Sequence, residues 1–314
     1  MVTGKQTSRG AARQSSLLYR VRQHWEYYLM LLPAIGFVVL FKYLPIWGVQ
    51  IAFQDFNIFA GISGSKWVGL ANFQKLLTSR DFANVFRNTI IISFLKIGLL
   101  FPLGIVVALL LNEVRHLWYK RTVQTIIYIP HFFSWIVVAG MFMNILSSST
   151  GLVNKLIVSM GGSAISFMTS PQWFRSVLVF SSGWKEVGWN AIVFIAAIAG
   201  IDQEMYEAAD IDGCGRVRRI FSITLPNILP TIVLMFILRI GNVLEAGTEQ
   251  ILVMYNAVVY SVADVIGTYV YRIGLGQMDY SFSTAVGLFN SIVGFTLVLL
   301  GNFLSRKTAG NSIW

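Results

Sequence analysis

The sequence predicts an all-α, polytopic membrane protein of six transmembrane helices, and three observations predict it. The 314 residues are 55% apolar and only 12% charged, where a soluble domain is about 25% charged. The mean hydropathy is +0.66, and the apolar residues gather into runs of about 20, the length that crosses a hydrocarbon core of about 30 Å. Lys and Arg concentrate on alternate connections between those runs, as orientation in a membrane requires. A lone cysteine, Cys214, and three scattered histidines exclude an intrachain disulfide framework and a histidine metal cluster. A net charge of +10 suits either nucleic acid or an anionic membrane surface. The apolar excess decides for membrane lipid and against nucleic acid.

The chain opens on a basic arm, residues 1–26, whose first 22 positions are rich in Arg, Ser and Gly. Such a stretch either rests on anionic lipid, at about 1 kcal/mol per basic residue, or stays solvated. The first span, Tyr27 to Trp47 within residues 27–50, exceeds a signal-peptide core and has no small-residue cleavage site after it, so it is read as a retained helix. Residues 51–87 form an external segment with a short helical pattern from Leu70 to Leu77. A core over 88–304 then carries five spans: Thr89 to Leu111, Val123 to Leu146, Trp173 to Gly200, Ile228 to Ala246 and Ala285 to Leu304. Pro33, Pro102, Pro130 and Pro230 lie inside or at the ends of these runs. Membrane bundles re-satisfy the backbone groups that proline frees, so every run is read as helical.

Ile251 to Tyr271 is apolar enough for a seventh span but contains Asn256 and Asp264. Charge arbitrates. With six spans, thirteen Lys and Arg fall on the cytoplasmic pieces, among them Arg115, Lys120, Arg121, Arg216, Arg218 and Arg219, and seven fall on the longer external pieces. The positive-inside rule therefore favours six spans with both termini cytoplasmic, a tail over 305–314, and 251–271 as an external or re-entrant piece. A seventh span would put Arg306 and Lys307 outside.

Asp202 to Pro226 is the one sizeable charged cytoplasmic loop, and it has its own helical design. Met205, Ala208 and Ala209 stand at i, i+3 and i+4; Gly213 offers the positive φ that ends a helix; Val217, Ile220 and Phe221 repeat the spacing. Two short amphipathic helices meeting at a glycine need an apolar partner, either the base of the bundle or another protein.

Glu207-Ala208-Ala209, then Gly213, Ile223 and Leu225-Pro226 resemble the EAA motif of permease subunits of binding-protein-dependent ABC importers. Val68-Gly69-Leu70-Ala71-Asn72-Phe73 with Arg87-Asn88-Thr89 is similar to the start of the permease core in the carbohydrate-uptake class. Ile129-Pro130-His131-Phe132, Gly151-Leu152-Val153-Asn154 and Ala285-Val286-Gly287-Leu288-Phe289-Asn290 are similar to its oligosaccharide and polysaccharide branch. The resemblance covers residue 27 to the end. It implies the type I ABC importer permease fold in a bacterial plasma (inner) membrane. It also implies a second permease subunit, in this class more often a different chain than a second copy, two cytoplasmic ATPase subunits, an external solute-binding protein and a saccharide substrate. No cofactor is expected on this chain; ATP and Mg belong to the ATPases. The sequence has no Gly-x-x-x-x-Gly-Lys-Ser/Thr run to cradle phosphates, the nearest being Gly61-Ile62-Ser63-Gly64-Ser65-Lys66. By the same resemblance, Met205, Ala208 and Ala209 are expected to dock in the ATPase and Glu207 to tie the loop. Gly213 makes the turn, Leu225 and Pro226 start the next helix, and Asp212 and Ile223 complete the coupling set.

Charge inside a span costs roughly 2.5–3.5 kcal/mol on insertion scales and marks a cavity or a bundle interior. On a continuous fifth helix, Arg239, Asn242, Glu245 and Glu249 fall within about 120° of arc. That stripe is expected either to line a translocation route or to tie helices through Arg and Glu. Trp184, Lys185, Glu186, Trp189 and Asn190 combine rings that stack on sugars with groups that orient them, or anchor at headgroup level. Asn290 is a candidate of the same kind. His131, beside Pro130, reads as a packed or capping residue.

The alternative is an ion-coupled secondary transporter that uses Arg239, Glu245 and Glu249 as a relay and needs no ATPase. No paired His-Glu zinc motif, serine elbow or acidic dyad supports an intramembrane enzyme. The chain is therefore expected to be a transport subunit and not an enzyme.

Overall fold

The computed structural model describes residues 23–309, with side-chain surroundings to residue 303. The basic arm at 1–22 and the last five residues of the expected tail lie outside the described residues. The chain divides into two units, residues 1–50 and 51–314. In the first, α1 (Trp25–Val38) tolerates Pro33, passes through a π-helical turn at Val39–Tyr43 and tightens into a 3-10 stretch from Leu44. A helix apolar on every side is built for lipid or protein contact, not water.

The second unit opens on a two-residue hairpin, β1 (Gln54–Asp55) antiparallel to β2 (Lys66–Trp67), around the short α2 (Gly61–Gly64). Helix α3 (Ala71–Thr78) is tied back by Asn72, whose Nδ2 donates to the carbonyls of Ala52 at 2.9 Å and Gln54 at 3.0 Å. Ser79 then caps α4 (Arg80–Asn112) by accepting from the Phe82 N–H at 3.2 Å. At 33 residues, α4 is about 50 Å long and runs through Pro102 without a break.

The third span is corrected. Val123 to Leu146 is not one helix: α5 (Leu117–Tyr128) ends in a 3-10 turn at Ile129–Phe132, and α6 (Trp135–Ile145) leaves at 103°. Pro130 has no N–H for the ladder, Phe133 is extended, and Ser134 caps a new helix by accepting from the Val137 N–H. Helix α7 (Leu152–Ser159) comes next, its approach fixed by the buried Asn154, whose amide bonds Leu146, Ser147 and Ile165.

The fourth crossing, α8 (Pro171–Ala199), starts on proline at a first-turn position and packs along α4. Helix α9 (Gln203–Ile211) turns from it by 74°. The chain continues through α10 (Arg216–Arg219) and a π-helical turn at Ile220–Thr224 into α11 (Leu225–Gly241). Three short helices, α12 (Thr248–Met254), α13 (Tyr260–Ala263) and α14 (Ile266–Tyr271), precede the last crossing, α15 (Tyr280–Ala309). Residues 251–271 are therefore not a span. Among the described residues, four helices are long and apolar enough to cross a membrane, and up to six stretches are when each bent pair, α5 with α6 and α8 with α9, counts as one.

Between membrane helices, cohesion comes from packing and hydrogen bonds, because lipid tails are as apolar as leucine. One packed cluster joins Ile92, Trp135, Phe142, Phe174, Leu178, Ile251 and Met254, holding the short helices against α4, α6 and α8. A second, around Ala108, Phe194, Ile198 and Ile228, reaches Tyr206, Ile223 and Leu225 of the loop.

Candidate functional site

Most of the expected site residues fall in or beside two places: a junction inside the bundle and the loop 202–226. The junction exists because the fifth span stops early, which corrects its expected end at Ala246. Helix α11 ends at Gly241, Asn242 takes φ −101°, and Val243–Glu245 make a single 3-10 turn. Ala246 (φ 49°) and Gly247 (φ 80°) are both left-handed. Ala at positive φ is strained, so the surroundings must hold it. They do: Lys96 Nζ donates to the Ala246 carbonyl at 2.9 Å and to Gln250 Oε1 at 2.5 Å, and Ser93 Oγ donates to the Val243 carbonyl. Gln250 is fully used. Its Oε1 also accepts from Ser182 at 2.8 Å, and its Nε2 donates to the Leu178 carbonyl and Ser181 Oγ. A β-carbon at position 247 would collide with the Lys96 ammonium, so only glycine fits there.

The break removes the expected stripe. Arg239 is on α11, Asn242 is its C-cap, Glu245 is in the turn and Glu249 is on α12, so the four share no helix face. Arg239 instead reaches Glu186 of α8 at 3.8 Å. A cavity of ≈ 150 Å³ beside this pair is lined by Ser93, Lys96, Glu186, Arg239, Asn242 and Glu245. A second, of ≈ 170 Å³, shares Arg239 and Asn242 and adds Asn190 and Phe194. Arg239 thus both lines these cavities and pairs with Glu186 across to α8. The relay through Glu249 does not form.

The fourth-span set also divides, because successive helical residues point 100° apart. Trp184 lines a larger cleft of ≈ 820 Å³ between α4, α5 and α8, mostly apolar, with Arg175 as its one charged lining residue and without Glu186 or Arg239. Lys185 is buried behind the bent third span, where its Nζ donates to the His131 carbonyl at 2.6 Å and lies 5.4 Å from the Trp135 ring centre. Trp189 stacks flat on His131 at 4.2 Å, which bears out the packed histidine. Only Glu186 and Asn190 face the polar cavities. Asn290 lines neither cavity, and its buried Oδ1 has no hydrogen-bond partner among the described residues.

The loop folds as two helices around a glycine. Asp202 caps α9 by accepting from the Glu204 N–H at 3.0 Å. At the other end the Cys214 N–H bonds the Ala209 carbonyl at 2.8 Å and the Gly213 N–H the Asp210 carbonyl at 3.2 Å, with Gly213 at φ 70°. That paired arrangement is the Schellman stop. The apolar residues left uncovered are Met205, Ile211 (87% exposed), Val217 and Phe221. Ala208, Asp212 and Pro226 are exposed, while Ile223 and Leu225 pack into the bundle. Two expectations are corrected. Ala209 is only 8% exposed and packs inward, so it is not on the docking side. Glu207 is exposed and makes no ion pair or hydrogen bond among the described residues; the ties come from Arg219 and Tyr206.

The short helices after the break are pinned too. Asn88 donates to the Ser261 and Asp264 carbonyls, Arg175 donates to Asn88 and to the Val262 carbonyl, and Thr89 accepts from the Ile266 N–H. Buried Asp264 accepts from Thr268 at 2.7 Å and Arg272 at 2.5 Å. Burial disfavours the Arg272 charge, yet the bond to Asp264 and its attraction hold that guanidinium above its ordinary pKa. Sequence reasoning assigns no role to Ser93, Lys96, Gln250 or Arg219. A charge at position 96 inside a span is the visible signal for one of them; Gln250 carries none.

Comparison with known proteins fits this geometry. The family model described as "Binding-protein-dependent transport system inner membrane component" matches residues 100–310. Protein LplB of Bacillus subtilis (strain 168) is 47% identical over 286 residues, 91% of this chain and 90% of that protein. The polygalacturonan/rhamnogalacturonan transport system permease protein YteP of the same organism is 44% identical over 302 residues, 96% and 94% of the two chains. A chain from the crystal structure of a bacterial alginate ABC transporter in complex with alginate pentasaccharide-bound periplasmic protein aligns with TM-score 0.88 at 39% identity, covering 95% of this chain and 99% of that one.

Proposed function

The chain belongs to the family of binding-protein-dependent transport system inner membrane components, and from that premise we propose that it forms half of the import pathway for an acidic oligosaccharide. As a permease subunit of an ABC importer it spans the membrane and leaves ATP hydrolysis, with Mg, to separate subunits. The cargo reading draws on two relatives, one named for polygalacturonan and rhamnogalacturonan and one solved with an alginate pentasaccharide on its periplasmic protein. Both cargoes carry uronate carboxylates. Arg239 supports the same reading from within: its pairing with Glu186 is loose at 3.8 Å and both side chains are partly open to the cavities. A carboxylate arriving there gains a charge-assisted contact with a planar fork, while Asn190 and Asn242 serve sugar hydroxyls.

The observation that carries the coupling half is the exposed apolar ridge of Met205, Ile211, Val217 and Phe221 on a loop stopped at Gly213. Among the described residues nothing covers it, and a cleft on a cytoplasmic ATPase suits it. ATP-driven closure of two ATPases would draw this loop and that of a second permease together, turning the cavities outward to meet the external binding protein. The chain supplies its own probe. Cys214 is its one cysteine and lies next to Gly213, half-buried. A membrane-impermeant maleimide is expected to label it in inverted vesicles and not in intact cells, with protection when the ATPase is bound. Labelling from outside the cell refutes the orientation, and equal labelling with and without bound ATPase refutes the docking.

A further inference from the structure

Arg219 stands where three pieces of the chain converge. Its Nη1 donates to Asp210 Oδ1 of α9 at 2.9 Å, and its Nη2 lies 3.6 Å from Glu113 Oε2 at the end of α4. The guanidinium sits 5.7 Å from the ring centre of Tyr206, whose hydroxyl is 3.0 Å from that of buried Thr224 at the start of α11. The placement of the two acids is the informative part. Asp210 is in the last turn of α9, and Glu113 is the C-cap of α4, where its N–H bonds the Leu109 carbonyl. A helix C-terminus carries about half a negative charge and disfavours a carboxylate. Two carboxylates are therefore held at two unfavourable helix ends, and one guanidinium neutralises both. Lysine, a single compact point charge, lacks the fork that spans two acceptors.

We propose that Arg219 is a positioning residue that transmits movement of the ATPase-gripped loop to α4. From Glu113, α4 runs about 25 Å to Lys96 and Ser93, which hold the left-handed break at 243–247 beside the polar cavities. The loop, the guanidinium, one long helix and the break thus form a contiguous mechanical path. This rests on the reading of loop 202–226 as the ATPase handle.

The test uses the full importer complex purified from its native membrane, with Cys214→Ser and Glu245→Cys in this chain, so that a maleimide reports access to the cavity. In the otherwise unaltered complex, ATP with vanadate is expected to change the labelling rate. In Arg219→Gln the complex assembles and hydrolyses ATP, but the ATP-dependent change in labelling falls about five-fold or more, the lower range of inter-site couplings. Glu113→Gln does the same, and the double variant is no worse than either single one, because both act through one contact. An unchanged response in assembled Arg219→Gln complex overturns the proposal, as do effects of the two substitutions that multiply. A reporter that ignores ATP in the unaltered complex also overturns it. Should Arg219→Gln fail to assemble, the milder Glu113→Gln decides alone. Absence of any ATPase from the purified complex refutes the handle itself, a result distinct from these.

Discussion

Replacing Gly213 isolates backbone conformation from contact. Its φ is 70°, and a β-carbon there would meet nothing within 4 Å, so a substitution costs only the strain of the left-handed region. For alanine that is about 1–2 kcal/mol; asparagine, which visits this region by bonding its own backbone, costs less, and a β-branched residue costs more. If the ATPase grips only the turned loop, its apparent affinity falls by the fraction of chains that keep the turn, and 1–2 kcal/mol corresponds to about 5–30-fold. The assay is titration of the purified ATPase subunit against detergent-solubilised complexes carrying Gly213→Asn, Gly213→Ala or Gly213→Val. The expected order of affinity is Gly, Asn, Ala, Val. A side chain that merely blocked the ATPase would order the variants by size, with Ala above Asn. That order, or equal affinity of Gly and Ala, refutes the reasoning.

Two further substitutions test the junction. Lys96→Met leaves the Ala246 carbonyl buried without a donor, which costs about 1–3 kcal/mol and should lower the thermal midpoint of the detergent-solubilised complex by several degrees; an unchanged midpoint removes the lysine from the account of the break. Arg239→Gln should cut uptake of a uronate oligosaccharide about ten-fold or more, the value of a lost charge-assisted bond. Stability should fall by no more than about 1 kcal/mol, since both side chains of its ion pair are part-exposed. Normal uptake with a large loss of stability would reverse the assignment and make Arg239 a tie.

The legible parts are those set by local pattern. The presence of several apolar helices of membrane-crossing length comes from run length, and the stop at Gly213 from one glycine after an i, i+3, i+4 face. Prolines are harder to read, because their effect depends on the residues C-terminal to them. At Pro33, Pro102 and Pro230 the helix continues, whereas four residues after Pro130 stands Ser134, a helix-starting cap that resembles any other small residue in an apolar run. The fifth span carries its own warning in Gly241, Asn242 and Gly247, which the charge pattern masks. Periodicity locates the apolar face of α9 but not which neighbour covers it, so it places Ala209 outward. Arg219 and Glu113 lie 106 positions apart in the chain, and no local rule brings such residues together.

The dependence of the interrupted fifth crossing on its neighbour constrains how such proteins can be recombined. Its buried carbonyls at 243 and 246, freed from the helix ladder, have no water to turn to in lipid and borrow their donors from Ser93 and Lys96. Inserting or deleting one residue upstream of position 93 in that long helix would swing both donors by 100° and strand both acceptors. Chimaeras assembled from related subunits should therefore survive when these two segments are swapped as a matched set, and misfold when either is exchanged alone for a version of different register.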